Sequence, residues 1–392
     1  MSKKHALLSA SGAARWLECT PSARLEEQLP QKPSSYADEG TAAHDLCEIA
    51  ARYALGMIDD AAYNAAVQNF EKNQYYSAEM LECAIDYGAF IKDSVDAAIA
   101  ECPDAFAELE VKSLDFSEWV PAGFGTGDCI IVADDQLEVI DFKYGKGVLV
   151  EARNNPQMRL YALGAIKRYG ALYDIKRVRT TIIQPRISRE PSREEMSIDE
   201  LLDWAETFVK PRAALAYAGK GEFNPGEYTC KFCRAKEQCK ARVDKNLALF
   251  DESPDVLLMT PDEAGELLMK AADIKAWLKD LETLVTRTLF EGTAVEGWKL
   301  VEGRSNRKLG DEAKIVEAMV EAGYDDAELY TRTLISLTAM EKAYGKKEIN
   351  RVLGGLITKP PGKPTLAPIS DKREAFSPEG AILDALDEED EE

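Results

Sequence analysis

The chain has 392 residues, 45% hydrophobic and 30% charged, with a formal net charge of −22. That length allows two or three domains, and no run approaches the about 20 apolar residues a membrane-crossing helix needs. Charge this negative excludes a uniformly polyanion-binding surface, but it is uneven: residues 1–140 carry −16, residues 141–245 carry +7 and residues 246–392 carry −13.

In chain order, residues 9–28 are expected to form a helix around Trp16 and Leu17, and residues 38–56 a helix with His44 at its head. The second histidine, His5, lies near the start of the chain. Residues 60–101, rich in alanine, read as two helices. Residues 106–143 are strand-rich. Asp128-Cys129-Ile130-Ile131-Val132 reads as a strand and Asp134-Asp135 as a turn. Val139 and Ile140 then lead into Asp141-Phe142-Lys143, so the two runs are expected to pair as a hairpin.

Such a hairpin brings Asp128 and Asp141 together. Two carboxylates held close repel unless a divalent cation lies between them. Lys143, two residues past Asp141, points to the same side of its strand. Two acids and a lysine on one sheet edge suit metal-assisted cleavage of a phosphodiester. The acids hold Mg2+ or Mn2+, and the lysine orients or activates water.

Asn154-Asn155-Pro156 reads as a helix start, because Asn caps and Pro is tolerated at the first helical position. Gln157 and Tyr161 follow at i and i+4 on one face. They are expected on the exposed stripe, where they suit phosphate and base contacts. Met158, Leu160, Leu163 and Ile166 supply the buried side. Arg153, Arg159 and Lys167, in the basic middle segment, are candidates to line a phosphate track. Thr180 to Pro185 reads as another core strand, and residues 197–218 as a helix through Leu201, Trp204 and Phe208. Helices, a hairpin, a helix and a strand in that order fit a small mixed sheet flanked by helices, an α/β class.

There are eight cysteines. The first residues lack an apolar core segment, so no secretory leader and no disulfide framework is expected. Cys230, Cys233 and Cys239 have metal-ligand spacing. Cys19 is the choice for a fourth ligand, which ties the beginning of the chain to residue 230 and beyond. Four thiolates also suit Zn2+. Cys47, Cys83, Cys102 and Cys129 read as buried thiols.

Thr260-Pro261-Asp262-Glu263 opens a long helix with a capping residue at Thr260. Glu296 to Val301 reads as a strand or hairpin, and Asp311 to Ala322 and Leu337 to Leu353 as short helices. From Lys359 a Pro-rich run ends regular structure. The acidic tail from Leu386 to Glu392 is expected to be disordered.

Taken in order, Cys19, Gly40-x3-His44, Gly127-Asp128, Asp141-x-Lys143, Gln157-x3-Tyr161 and Cys230-x2-Cys233-x5-Cys239 resemble a known family. It is the RecB-like branch of the PD-(D/E)XK nuclease superfamily, in its iron–sulfur members such as the AddB nuclease domain and the CRISPR-adaptation nucleases. The resemblance covers residues 1–245, and the stretch from Asp141 to Gly164 looks like a phage- and prophage-encoded subgroup.

The resemblance implies a restriction-endonuclease-like mixed sheet core with an additional, mainly helical C-terminal region. Residues 1–245 would be the nuclease domain closed by a four-cysteine cluster, 246–358 a mainly helical accessory domain, and 359–392 a Pro-containing linker and acidic tail. It implies His44, Asp128, Asp141 and the backbone carbonyl of Phe142 as metal ligands, and Lys143 as the catalytic lysine beside Asp128 and Asp141. Gln157 and Tyr161 would place the DNA strand. Cys19, Cys230, Cys233 and Cys239 would hold a [4Fe–4S] cluster, with Zn2+ as the alternative. Glu110 is the match for a glutamate before the first core strand.

The implied activity is a Mg2+- or Mn2+-dependent exonuclease in phage DNA recombination or replication, in the cytoplasm of a bacterial host. Its expected partners are single-stranded DNA or duplex ends, and a phage single-strand-binding or annealing protein. The alternative is a non-catalytic DNA-binding or assembly protein on a nuclease fold. Retention of His44, Asp128, Asp141 and Lys143 together speaks against that.

Overall fold

The structure is a computed structural model that describes residues 6–30, 34–248, 260–301, 320, 336–353 and 356–357. Two compact units divide the chain, Met1–Trp298 and Lys299–Glu392.

The first unit is built on a five-stranded mixed sheet. Its strands are β1 (Phe106–Asp115), β2 (Phe124–Ala133), β3 (Gln136–Phe142), β4 (Arg177–Ile183) and β5 (Ser192–Ser197), in spatial order β1-β2-β3-β4-β5. All neighbours are antiparallel except β3 and β4, which run parallel. Parallel neighbours need a crossover, and α6 (Pro156–Tyr169) supplies it. This is the α/β, helix-flanked mixed sheet of a restriction-endonuclease-like core.

Apolar residues on successive strand positions go to opposite faces. Ile130, Val132, Leu137 and Val139 pack with Met158, Leu160 and Leu163 of α6. Cys129, Ile131, Ile140 and Phe142 face the other way, onto α3 (Ser35–Ala54) and α5 (Ala78–Glu101) through Leu46, Tyr87 and Ile91. Each such buried side chain contributes about 1.5–3 kcal/mol. α4 (Asp60–Phe70) lies between α3 and α5 in the chain, so the two helices expected over 60–101 are present.

Caps fix the helix starts. Asn155 accepts from the N–H groups of Gln157 and Met158, with Pro156 in the first turn. Ser197 and Glu200 form a capping box for α7 (Ile198–Trp204), which runs through a π turn (Ala205–Val209) into α8 (Lys210–Ala218). α9 (Glu227–Lys231) and α10 (Lys240–Ala248) carry the cysteine segment. Thr260 and Glu263 form a second capping box, opening α11 (Pro261–Phe290). In the second unit, α12 (Leu337–Tyr344) and α13 (Lys346–Leu353) are separated at Gly345.

Four expectations change. The single helix over 9–28 is a 3-10 turn (Ala10–Gly12) followed by α1 (Ala13–Glu18) and α2 (Ser22–Glu27). The chain breaks at Cys19, whose backbone leaves the helical region, and Pro21 has no N–H to continue the helix. His44 lies in the middle of α3, not at its head. Residues 296–301 form a turn at Gly297 (φ 80°) with Trp298 and Val301 exposed, and no strand. Cys102 is partly exposed, whereas Cys47, Cys83 and Cys129 are buried as expected. His5, all of Asp311–Ala322 but Val320, and the acidic tail lie outside the described residues.

Candidate active site

Three acids form a row across the sheet. The register Cys129↔Ile140 sets Asp128 of β2 opposite Asp141 of β3. The pairs Leu109↔Cys129 and Val111↔Gly127 set Glu110 of β1 opposite Asp128 on its other side. Glu110 has a left-handed backbone (φ 50°), beside an irregularity between Val111 and Leu114. Strain of this kind in a non-glycine residue persists only where the surroundings enforce it.

α3 brings His44 over this row. His44 Nδ1 lies 3.3 Å from Asp128 Oδ2. The ligand atoms of His44, Glu110 and Asp128 fall within 4.8 Å of one another, the one such trio among the described residues. Asp128 Oδ2 also accepts the backbone N–H of Phe142 at 2.7 Å. Asp141, expected among the ligands, is held differently. Its Oδ2 forms an ion pair with Lys143 Nζ at 2.7 Å. Its Oδ1 accepts from Gln157 Nε2 at 3.2 Å.

Burial works against every charge here, and neighbours decide the outcome. Burial disfavours the imidazolium of His44, but Asp128 outweighs it and lifts His44 above its ordinary value. Burial likewise disfavours ionised Asp128, and the charge and hydrogen bond of His44 override it, leaving that carboxyl low. Asp141 is raised by burial, with Lys143 opposing only in part. Lys143 is raised because Asp141 overcomes its burial. Glu110 is pushed up to about 7, by burial first and then by Asp128. An acid held there lacks a full counter-charge, and a divalent cation among His44, Glu110 and Asp128 would supply one. The donor set of one imidazole and two carboxylates fits a divalent cation.

Gln157 reaches from the first turn of α6 to Asp141, and its Oε1 accepts from Lys143 Nζ at 3.5 Å. Tyr161 is not on an exposed stripe. It is buried over Gly125, and its hydroxyl accepts from Gln157 Nε2 at 3.3 Å. Arg153 is exposed. Arg159 is held by Glu194 at 2.7 Å and Asn154 at 2.9 Å, and its guanidinium covers the Trp204 ring. Lys167 pairs with Asp115 at 2.7 Å.

Sequence reasoning passed over Glu48 and Tyr87, which line the same cleft as His44, Glu110 and Asp128. Glu48 was findable, since it lies one helical turn beyond His44. It is bound by Arg52 at 2.6 Å. Tyr87, whose buried hydroxyl has no hydrogen-bond partner, gave no signal in the sequence.

The four singled-out cysteines line one pocket, together with Arg15 and Lys236. No three of their sulfurs come within 4.8 Å of one another, whereas a single tetrahedral zinc would hold them about 3.8 Å apart, given Zn–S bonds of about 2.3 Å. Backbone N–H groups of Ser22 and Asn224 donate to Cys19, Gly226 to Cys230 and Ala235 to Cys233. Such donors stabilise thiolate rather than thiol. Burial nevertheless pushes the Cys19, Cys230 and Cys233 thiols up, Cys233 to about 11.

The family described as "Protein of unknown function (DUF2800)" matches residues 5–374. The chain belongs to that family. The match takes in both the acid row and the four cysteines. Among solved structures, the chain is similar to LHK-Exo in complex with dAMP, at 14% identity and TM-score 0.22, covering 46% of this chain and 93% of that one. It is also similar to SSO0001, at 15% identity and TM-score 0.22, covering 57% of this chain and 95% of that one.

Proposed function

We propose that the protein is a divalent-metal-dependent deoxyribonuclease, acting as an exonuclease on single-stranded or duplex DNA ends. The observation that carries this reading is the row Glu110, Asp128 and Asp141 across three neighbouring strands, with His44 above it and Lys143 beside it. His44, Asp128 and Glu110 would hold the cation, with Asp141 and the Phe142 carbonyl adjoining. When bound, Mg2+ or Mn2+ polarises a phosphoryl oxygen and acidifies water. Lys143 positions the attacking water and offsets negative charge developing on the phosphate. Gln157, bonded to both Asp141 and Tyr161, aligns the DNA strand beside Asp141. Tyr161 acts through Gln157.

Cys19, Cys230, Cys233 and Cys239 would hold a structural [4Fe–4S] cluster, with Zn2+ as the alternative. On this reading residues 1–245 are the catalytic domain, 246–358 an accessory domain and 359–392 a linker and tail. The setting is phage recombination or replication in a bacterial cytoplasm, alongside a single-strand-binding or annealing protein.

The test is degradation of end-labelled linear and circular DNA with each divalent metal. Wild type is expected to degrade linear DNA, and Asp128→Ala and Lys143→Ala to lose activity at least a hundredfold with far-UV circular dichroism unchanged. An Asp128→Ala protein working at the wild-type rate would remove the assignment.

A further inference from the structure

Where α10 meets α11, buried polar side chains outnumber their partners. Arg242 and Asn246 lie one turn apart on α10, both buried. Asp273, Trp277 and Asp280 follow at helical spacing on α11. Arg242 Nη1 donates to Asp280 Oδ2 at 2.6 Å, and Nη2 donates to Asp273 Oδ1 at 3.3 Å. Lys236 Nζ pairs with Asp280 Oδ1 at 2.9 Å. Arg242 Nε, both amide atoms of Asn246, Asp273 Oδ2 and Trp277 Nε1 have no hydrogen-bond partner. Replacing these groups by apolar ones of similar size would avoid that cost, so ion pairs here are weak grounds for stability alone. Their position suggests a different use.

Arg242 also grips the segment that carries the last cysteine. Its guanidinium donates to the Lys236 carbonyl at 3.4 Å, and its backbone N–H donates to the Cys239 carbonyl at 3.1 Å. Both ends of the stretch 236–239 therefore hang on one residue, which α11 holds in place through Asp273 and Asp280. Lys236 lines the cysteine pocket and reaches Asp280 as well. Groups that orient ligands from behind typically change metal affinity 10–100-fold when removed.

We propose that Arg242 is the positioning residue of the four-cysteine centre, coupling metal retention by Cys239 to the docking of α11. The inference rests on the metal-centre reading above. Coupling of this kind is reciprocal: the docked helix slows metal loss, and the bound metal protects the helix.

The full chain, purified anaerobically, tests both directions. Iron and zinc are first quantified in the wild type. Loss of the metal to a chelator is then followed by thiolate-to-metal absorption. Arg242→Gln and Asp280→Asn are expected to lose metal at least tenfold faster than wild type, with Arg242→Lys recovering part of the difference. In the wild type, stripping the metal is expected to speed hydrogen exchange across Pro261–Phe290 and leave β3 unchanged. That arm needs no variant to fold. A metal-loaded wild type whose α11 exchange is unaffected by stripping, or variants that keep metal as long as wild type, would overturn the coupling alone. A wild type that never carries metal on these cysteines would overturn the centre, and the coupling with it.

Discussion

Asp128 answers to three groups at once: the imidazole of His44, the backbone of Phe142 and the facing carboxyl of Glu110. The first two partners explain why it stays ionised while buried. Burial first, and then the charge of Asp128, push Glu110 up to about 7. Glu110→Gln is therefore expected to keep the fold and to weaken Mn2+ binding at least tenfold, read by calorimetry. An unchanged affinity would place the cation elsewhere. The pairing of Asp128 with Asp141 was legible in the sequence, because an apolar run, a turn and a second apolar run fix a hairpin and hence who faces whom. The position of Glu110 was legible only as a guess. Its side chain reaches the site through a left-handed backbone at an irregular strand, which no residue pattern announces. The burial of Tyr161 was misread for a related reason. Gly125 leaves room on the sheet for its ring, and a Cβ there would lie 2.5 Å from it.

At the scale of elements, the site depends on how closely α3 approaches α5. A Cβ on Gly88 of α5 would stand 2.8 Å from the carbonyl oxygen of Ala50 on α3. Backbone cannot yield there as a side chain tip does, so Gly88→Ala is expected to cost about 1–3 kcal/mol. It should also push His44 off the acid row. Denaturant titration reads the first effect and metal affinity the second.

α6 is fastened to the end of β1 by Lys167 and Asp115. Lys167, through its hydrogen bond, holds the Asp115 carboxyl down at about 2. A depressed acid stabilises the fold above its ordinary value of 3.8 and loses that contribution as pH falls through about 2. The pair is half-exposed, so the gain is under about 1 kcal/mol. Asp115→Asn should be less stable than wild type at pH 6 and equal to it near pH 2, in denaturant titrations at both pH values. β5 escaped the sequence reading because Ser192–Ser197 carries a single apolar residue, Met196, among polar ones. It is an edge strand, defined by its partner β4 rather than by an apolar stripe.

For the molecule as a whole, the beginning of the chain is part of the body that forms around residue 230. Thr20 Oγ1 donates to the Lys220 carbonyl, Arg212 to the Leu17 carbonyl, and the Arg234 N–H to Glu26. Cys19 and Cys230 line the same pocket. Metal bound there adds its binding energy to folding. Chelation of the wild type is expected to lower its melting temperature and to expose the segment around residues 13–27 to protease. Cys19→Ser should start in that state and respond little to chelator. Equal melting curves with and without chelator would deny the centre a structural role. The spacing of Cys230, Cys233 and Cys239 made them legible as a group, whereas the return of Cys19 to the same pocket is a property of the closed fold.

Those bonds between the first helices and residues 212–234 have a consequence during synthesis. Trp16 and Leu17 are buried in the finished protein, yet α8, which packs over them, is made some two hundred residues later. A ribosome adds about 5–20 residues per second, so these two apolar side chains wait at least about ten seconds for that cover. Contacts of such long range also slow folding in general. Chains released early, before residue 240, should therefore aggregate or be degraded, and a chaperone that shields the nascent N-terminal segment should raise the yield of finished protein.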